Sequence, residues 1–197
     1  MTAVRFENVR FSYPSGVEAL RGVSFEVPTG QRLAIVGQNG AGKTTLVRHL
    51  NGIFQPTSGS VYVADAATTG RAIAELAASV GYVFQNPDEQ IFASTVIADV
   101  EFGPRNLGCS ADEARSRAMA ALETVGLAAE ADTHPLHLSL SERKRVALAG
   151  VLAMQTPIVV LDEPTTGQDA GGVAMVAGVV EALASAGRTV IAITHDM

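Results

Sequence analysis

Residues Gly37, Gln38, Asn39, Gly40, Ala41, Gly42, Lys43 and Thr44 fit the spacing G-x-x-x-x-G-K-[ST], a loop that binds phosphate. Its glycines let successive backbone N–H groups wrap phosphate oxygens, and the start of the following helix adds a favourable dipole. In that arrangement Lys43 reaches the β- and γ-phosphates and the Thr44 hydroxyl ligates Mg2+. A second element, Ile158-Val-Val-Leu161-Asp162-Glu163-Pro164, is an apolar run that ends in two carboxylates. Asp162 is suited to hold Mg2+ through its shell. Glu163, one residue on, is suited to orient or deprotonate an attacking water, because phosphoryl transfer needs positioning and charge neutralisation more than covalent help. Taken alone, the two acids are also compatible with a turn before Pro164, and the phosphate loop is what favours the chemical reading.

The elements around these residues have to hold both at one end of a sheet. Leu33 to Val36 is a continuous apolar run before the loop, and Lys43 to Asn51 reads as a helix stopped by Gly52. Upstream, Val4 to Val27 alternates apolar and polar residues between Pro14, Gly16, Gly22, Pro28 and Gly30, the pattern of an antiparallel meander. Gly59 to Ala64 reads as a strand, Arg71 to Ser79 as a short helix and Val80 to Phe84 as a buried strand. Helices are expected at Thr95 to Phe102 and at Ser110 to Val125, the latter opened by the capping box Ser110-x-x-Glu113. Then follow helix Glu142 to Met154, strand Ile158 to Leu161, helix Ala170 to Ala186 and strand Thr189 to Ile193. Val173, Val176, Val180 and Leu183 form the stripe expected to pack on the sheet. Such alternation predicts an α/β fold, a P-loop NTPase with a mostly parallel sheet flanked by helices, an N-terminal antiparallel β subdomain and an inserted helical subdomain near 86–150.

At 197 residues the chain suits one domain carrying an insertion, given about 150 residues per domain. With 47% hydrophobic and 17% charged residues it has the apolar material for a packed core, which excludes disorder as its main state. A net charge of −6 argues against a sequence-independent grip on nucleic acid, which takes a basic footprint. One cysteine, Cys109, allows no intrachain disulfide and fits a reducing, cytoplasmic setting. Neither an export signal nor a membrane-spanning run is seen in the sequence.

Phosphate loop and acidic strand together resemble the nucleotide-binding subunit of ATP-binding cassette (ABC) proteins, over nearly the whole chain. The resemblance implies ATP and Mg2+ as ligands. It implies that Tyr13, in Phe11-Ser-Tyr13, stacks on adenine, that Thr45 closes the phosphate loop, and that Gln85 senses Mg2+ and the attacking water. His195, in Ile193-Thr-His195-Asp196, matches the histidine that contacts the γ-phosphate. His49, His134 and His137 lack such context and read as structural or surface residues. Leu138-Ser139-Leu140-Ser141-Glu142 occupies the place of the family signature, normally Leu-Ser-Gly-Gly-Gln or its Glu-ending variant. Ser139 and Glu142 keep a capping box, so Ser139, Ser141 and Glu142 are expected to face a partner's nucleotide, whereas Leu140 and Ser141 replace the two glycines. Arg143, Lys144 and Arg145 are compatible with attracting phosphate or with a solvated face, and the solvated face is the favoured reading. Gln168, in Thr165-Thr-Gly167-Gln168-Asp169, stands where the family usually has leucine, and Asp169 is expected to cap the next helix.

Within the superfamily, Gln85-Asn-Pro87-Asp-Glu-Gln90-Ile-Phe92, continued by Thr95-Val96 and Asp99 to Gly108, resembles the ATPases of energy-coupling-factor importers for vitamins or for nickel and cobalt ions. That implies a peripheral subunit on the cytoplasmic face of the cell membrane. It would pair with a second ABC ATPase, identical or related, and with an integral membrane scaffold and a substrate-binding membrane subunit, and would not bind nucleic acid. The chain stops two residues past His195, where the family normally continues with another helix and further strands, so a truncated product or an exposed last strand is expected. Two other readings stay open: a soluble cassette acting on nucleic acid or ribosomes, and a degenerate subunit that binds ATP without productive hydrolysis.

Overall fold

The computed structural model describes residues 1–194. Two compact units emerge. The first takes in Met1–Tyr82, Pro157–Asp162 and the chain from Leu183, and the second takes in Val83–Thr156 and Glu163–Ala182.

In the first unit, strands β1 (Thr2–Ser12) and β2 (Glu18–Pro28) form the expected antiparallel hairpin, with Phe6 opposite Phe25 and their rings stacked at 4.7 Å. Strand β4 (Ser58–Val63) pairs antiparallel with the other side of β1, and β5 (Ala66–Ala67) follows it at the edge. Alternation makes this sheet largely one-sided, as where Val9 and Val27 are each buried between exposed neighbours.

A second sheet has the order β3 (Arg32–Val36), β8 (Thr189–Thr194), β7 (Ile158–Asp162), β6 (Val80–Val83). β8 runs parallel to both β3 and β7, with Val36 level with Thr194 and Asp162 level with Ile193. The shared register brings the carboxyl ends of β3 and β7 to the same edge, which is how residues about 120 positions apart in the chain reach one site. Strands β6 and β7 are buried at every residue, as continuous apolar runs predict. β3 is not: it lies at the end of the strand order, its burial alternates, and Val36 is 47% exposed. Helix α1 (Lys43–Val47) is also shorter than its pattern suggests, since after Arg48 the amides of His49 and Leu50 bond three residues back in tighter turns that run into Gly52. Helix α2 (Ile73–Ala77) completes the unit and buries Leu76.

The second unit is helical. Helix α3 (Val96–Asn106) is capped by Thr95 and continues through Pro104, four residues beyond the expected end at Phe102. Pro104 lacks the amide that would bond the Val100 carbonyl one turn back, while its own carbonyl accepts from the amides of Leu107 and Cys109. Ser110 caps α4 (Ala111–Thr124), and Ser139 caps α5 (Leu140–Met154). Helices α3, α4 and α5 pack together through Val96, Val100, Ala114, Ala118, Leu122, Ala147 and Val151, all buried. The last helix, α6 (Ala170–Ser185), buries Val176 and Val179, while Val173 of the expected stripe stays 41% exposed. The rest of the stripe is kept, with Val176 buried and Val180 and Leu183 half-buried, and Val179 joins it.

Candidate functional site

In the first unit the loop between β3 and α1 is shaped by two residues in the left-handed region, Gly40 at φ +81° and Gly42 at φ +85°. At Gly42 a side chain would also meet the backbone, because a Cβ there would lie 2.8 Å from the carbonyl oxygen of Ala19 and 3.3 Å from the Leu20 side chain. The loop's own groups close it. Ala41 N–H donates to the Gln38 carbonyl at 3.2 Å, and the Lys43 ammonium donates to the carbonyls of Gly37 at 2.6 Å and Gln38 at 3.1 Å. Lys43 thus arches back over the loop, and Asn39 and Gly40 lie at its exposed tip.

Behind the loop the Thr44 hydroxyl donates to Asp162 Oδ1 at 3.1 Å. The other oxygen of Asp162 accepts from the Tyr82 hydroxyl at 2.9 Å, and Asp162 itself is fully buried. Burial and the neighbouring Asp162 charge push the Tyr82 phenol up, so Tyr82 stays a proton donor throughout the accessible pH range. Nothing in the sequence marked Tyr82, which reads there as one more apolar residue of β6. Tyr13 stands beside the same loop: its hydroxyl and that of Thr45 are 2.6 Å apart, and its ring packs edge-on against Phe11 and Phe54. His49 proves structural, with Nδ1 on the Thr45 carbonyl at 2.8 Å and burial holding its pKa below the ordinary value.

In the second unit Gln85 is exposed just beyond β6. Its loop is held by another glutamine, Gln90, which accepts from Phe84 N–H at 3.2 Å and donates to the Ala147 carbonyl of α5 at 2.8 Å. Glu163 is buried and sits at φ +51°, a conformation that costs a non-glycine residue energy and is found where surroundings impose it. Its Oε2 accepts from the Thr166 hydroxyl at 3.3 Å.

At the start of α5 the capping box is complete. Glu142 Oε2 accepts from the backbone N–H and hydroxyl of Ser139 at 2.8 and 2.7 Å, and Ser139 Oγ accepts from Glu142 N–H at 3.3 Å. These bonds, the hydroxyl's first, hold the Glu142 carboxyl below the usual range. Ser141 bonds instead to Gln168, and Leu140 is 49% exposed. The three basic residues that follow are not a solvated face. Arg143 pairs with Asp88 at 3.1 Å, Lys144 donates to the Thr166 carbonyl at 2.6 Å and Arg145 to the Val125 carbonyl at 3.2 Å. Their guanidinium and ammonium groups find carbonyls that helix and loop ends leave open, a role that local charge patterning does not reveal. Asp169 Oδ1 accepts from Gly172 N–H at 2.7 Å at the start of α6. His195 lies outside the described residues. No cluster of three metal-ligating side chains occurs among the described residues.

A glycine-rich loop after a parallel strand, with a buried carboxylate beside its threonine, defines a P-loop nucleotide-binding protein. A family model for ABC transporters matches residues 20–166. The energy-coupling factor transporter ATP-binding protein EcfA of Methanosphaera stadtmanae is 46% identical over the full chain and 71% of its own length. The EcfA protein of Carboxydothermus hydrogenoformans is 45% identical over 99% of the chain and 72% of its own. Among solved structures, cbiO1 of Clostridium perfringens, part of the ABC transporter complex cbiONQ, superposes with TM-score 0.85 at 37% identity, covering 99% of this chain and 79% of that one. A dimeric ATP-binding cassette in a post-hydrolysis state with ADP and Pi gives TM-score 0.90 at 30% identity, over 98% and 88%. The chain therefore belongs to the ABC transporter ATPases, as an ATP-binding protein of the energy-coupling factor type.

Proposed function

We propose that this chain binds and hydrolyses ATP with Mg2+ as one half of a cassette dimer, and so drives an importer for a vitamin or a transition-metal ion from the cytoplasmic face of the membrane. The observation that carries the reading is the meeting of Thr44 and Asp162 behind the phosphate loop, a hydroxyl and a carboxylate from separate elements within 3.1 Å. These are hard oxygen donors of the kind Mg2+ takes, and one carboxylate plus a hydroxyl suits an ion that keeps most of its water and shares the phosphates. Bound there, the ion would supply charge neutralisation on the phosphates. The chain's own residues would do the rest. Backbone amides of Gly37 to Thr45 wrap the phosphates, Lys43 exchanges its loop carbonyls for phosphate oxygens, and Tyr13 offers its ring to adenine. Glu163, directly after Asp162 in the chain, would orient the attacking water together with Gln85 and His195.

The dimer and membrane components rest on relatives: cassettes related to this one are dimeric, and cbiO1 is part of a complex with other subunits. No helix among the described residues is long and apolar enough to cross a membrane, so a membrane role runs through partners such as a scaffold and a substrate-binding subunit. Residues Ser139, Ser141 and Glu142 would meet the nucleotide held by the other cassette. Glu163→Gln tests the catalytic part: ATP binding should persist while hydrolysis is lost, and retained turnover would remove Glu163 from the mechanism. Capture of the protein from mildly solubilised native membranes tests the importer, which predicts a polytopic scaffold and a small membrane-embedded subunit in the eluate.

A further inference from the structure

Gln168 and Ser141 are each departures from the family pattern in different motifs, and the fold joins them. The Ser141 hydroxyl donates to Gln168 Oε1 at 2.7 Å, and Gln168 Nε2 donates back to the Ser141 carbonyl at 3.3 Å. Both side chains are half-buried. A leucine at 168 could make neither bond, and a glycine at 141 could not make the first. Room for the pair comes from α6: a Cβ on Gly172 would run into Oε1 and Cβ of Gln168. One turn further along α5, Lys144 holds the Thr166 carbonyl at 2.6 Å, and the Thr166 hydroxyl holds Glu163. Burial lowers the Lys144 pKa while the Glu163 charge raises it, so the ammonium lies within electrostatic reach of that carboxylate. Lys144, Glu163 and Gln168 line one pocket, with Met175 and Val176 of α6 behind them.

We propose that Gln168 is a positioning residue that clasps the first turn of α5 to the loop 163–169, so that the signature segment and the backbone carrying Glu163 move as one body. The reciprocal bond is the direct link and the Lys144–Thr166 bond the second, so a shift of α5 on meeting a partner's nucleotide is carried to Glu163 without a hinge between them. This rests on the ATPase reading for its consequence in turnover, but the clasp itself is a property of the unliganded chain.

The test uses the full chain with Gln168→Leu, Ser141→Ala, the double variant and Ser141→Thr, which keeps the hydroxyl. Hydrogen exchange without nucleotide comes first. Each single loss on one side should speed exchange on both sides, at 140–144 and at 165–169, by about tenfold, the loss expected for breaking a hydrogen-bonded local unit. Ser141→Thr should retain the parent's protection, and the double variant should be no worse than Gln168→Leu alone. In steady-state turnover, Gln168→Leu should lower kcat by about tenfold with KM for ATP within about twofold, since the phosphate loop is untouched. Exchange that changes only beside the substituted residue, or additive effects in the double variant, overturns the clasp. Coupled exchange with kcat unchanged overturns its positioning role. Coupled exchange in a parent that hydrolyses no ATP refutes the ATPase reading while the clasp stands.

Discussion

Removing the Tyr82 hydroxyl, Tyr82→Phe, tests how Asp162 is held. That carboxylate is fully buried and takes one hydroxyl on each oxygen, Thr44 at 3.1 Å and Tyr82 at 2.9 Å. A hydrogen bond to a charged group contributes about 1.5–3 kcal/mol, and the variant takes the Tyr82 donor away from a fully buried carboxylate. Each kcal/mol moves Tm by about 2–4 °C in a chain of this size, so the variant should melt about 3–12 °C lower, by calorimetry at pH 7 without nucleotide. The charge dependence gives a sharper readout. In an Asp162→Asn background the same tyrosine bonds a neutral amide, worth about 1 kcal/mol, so Tyr82→Phe should cost roughly half as much or less there. Retention of Tm within about 1 °C, or an equal loss in both backgrounds, would refute the idea that Tyr82 orients the Asp162 carboxylate.

Gly42→Ala should weaken ATP binding by more than about tenfold in titration calorimetry, because the left-handed residue costs about 1–2 kcal/mol and its Cβ displaces the loop from Ala19. Glu142 has a depressed carboxyl, so its stabilising contribution is complete above the ordinary value of 4.5 and fades as pH falls through the lower folded value. The Tm difference between parent and Glu142→Gln should accordingly be constant in neutral buffer and shrink to nothing in acid. Gln90→Met removes the two bonds that hold the Gln85 loop to α5; it should cost about 1–2 kcal/mol in urea melts and raise exchange at Phe84.

Much of this protein is legible in its sequence. The phosphate loop and the Asp162 strand are contiguous in the chain, and their chemistry depends on backbone freedom and residue type within eight or fewer positions, so local pattern carries them. Fully buried strands announce themselves as unbroken apolar runs, as β6 and β7 do. Capping boxes are equally local, and Ser139 with Glu142 forms one as its spacing requires. What sequence could not decide were matters of partner and phase. The strand at Gly59 to Ala64 joins the N-terminal sheet because β1 leaves an open edge, and β3 is half-exposed because it ends its sheet's strand order, neither of which is written in either segment. The sequence pattern ends this helix at Phe102, yet α3 passes through Pro104 to Asn106, and the Pro104 carbonyl accepts from the amides of Leu107 and Cys109.

The same division runs through the site. Arg143, Lys144 and Arg145 resemble a solvated run until the Asp88 carboxylate and the carbonyls of Thr166 and Val125 arrive to meet them. Tyr82 becomes a donor to Asp162 only when β7 brings that carboxylate to it, and Ser141 with Gln168 changes from two isolated departures to one bonded pair. Residue type and spacing along the chain determined the glycine-rich loop and where the protein's carboxylates stand. Which side chains aim and couple those groups was decided by tertiary structure alone, because a hydrogen bond between residues 27 or 80 positions apart leaves no periodicity in the sequence for either partner to display.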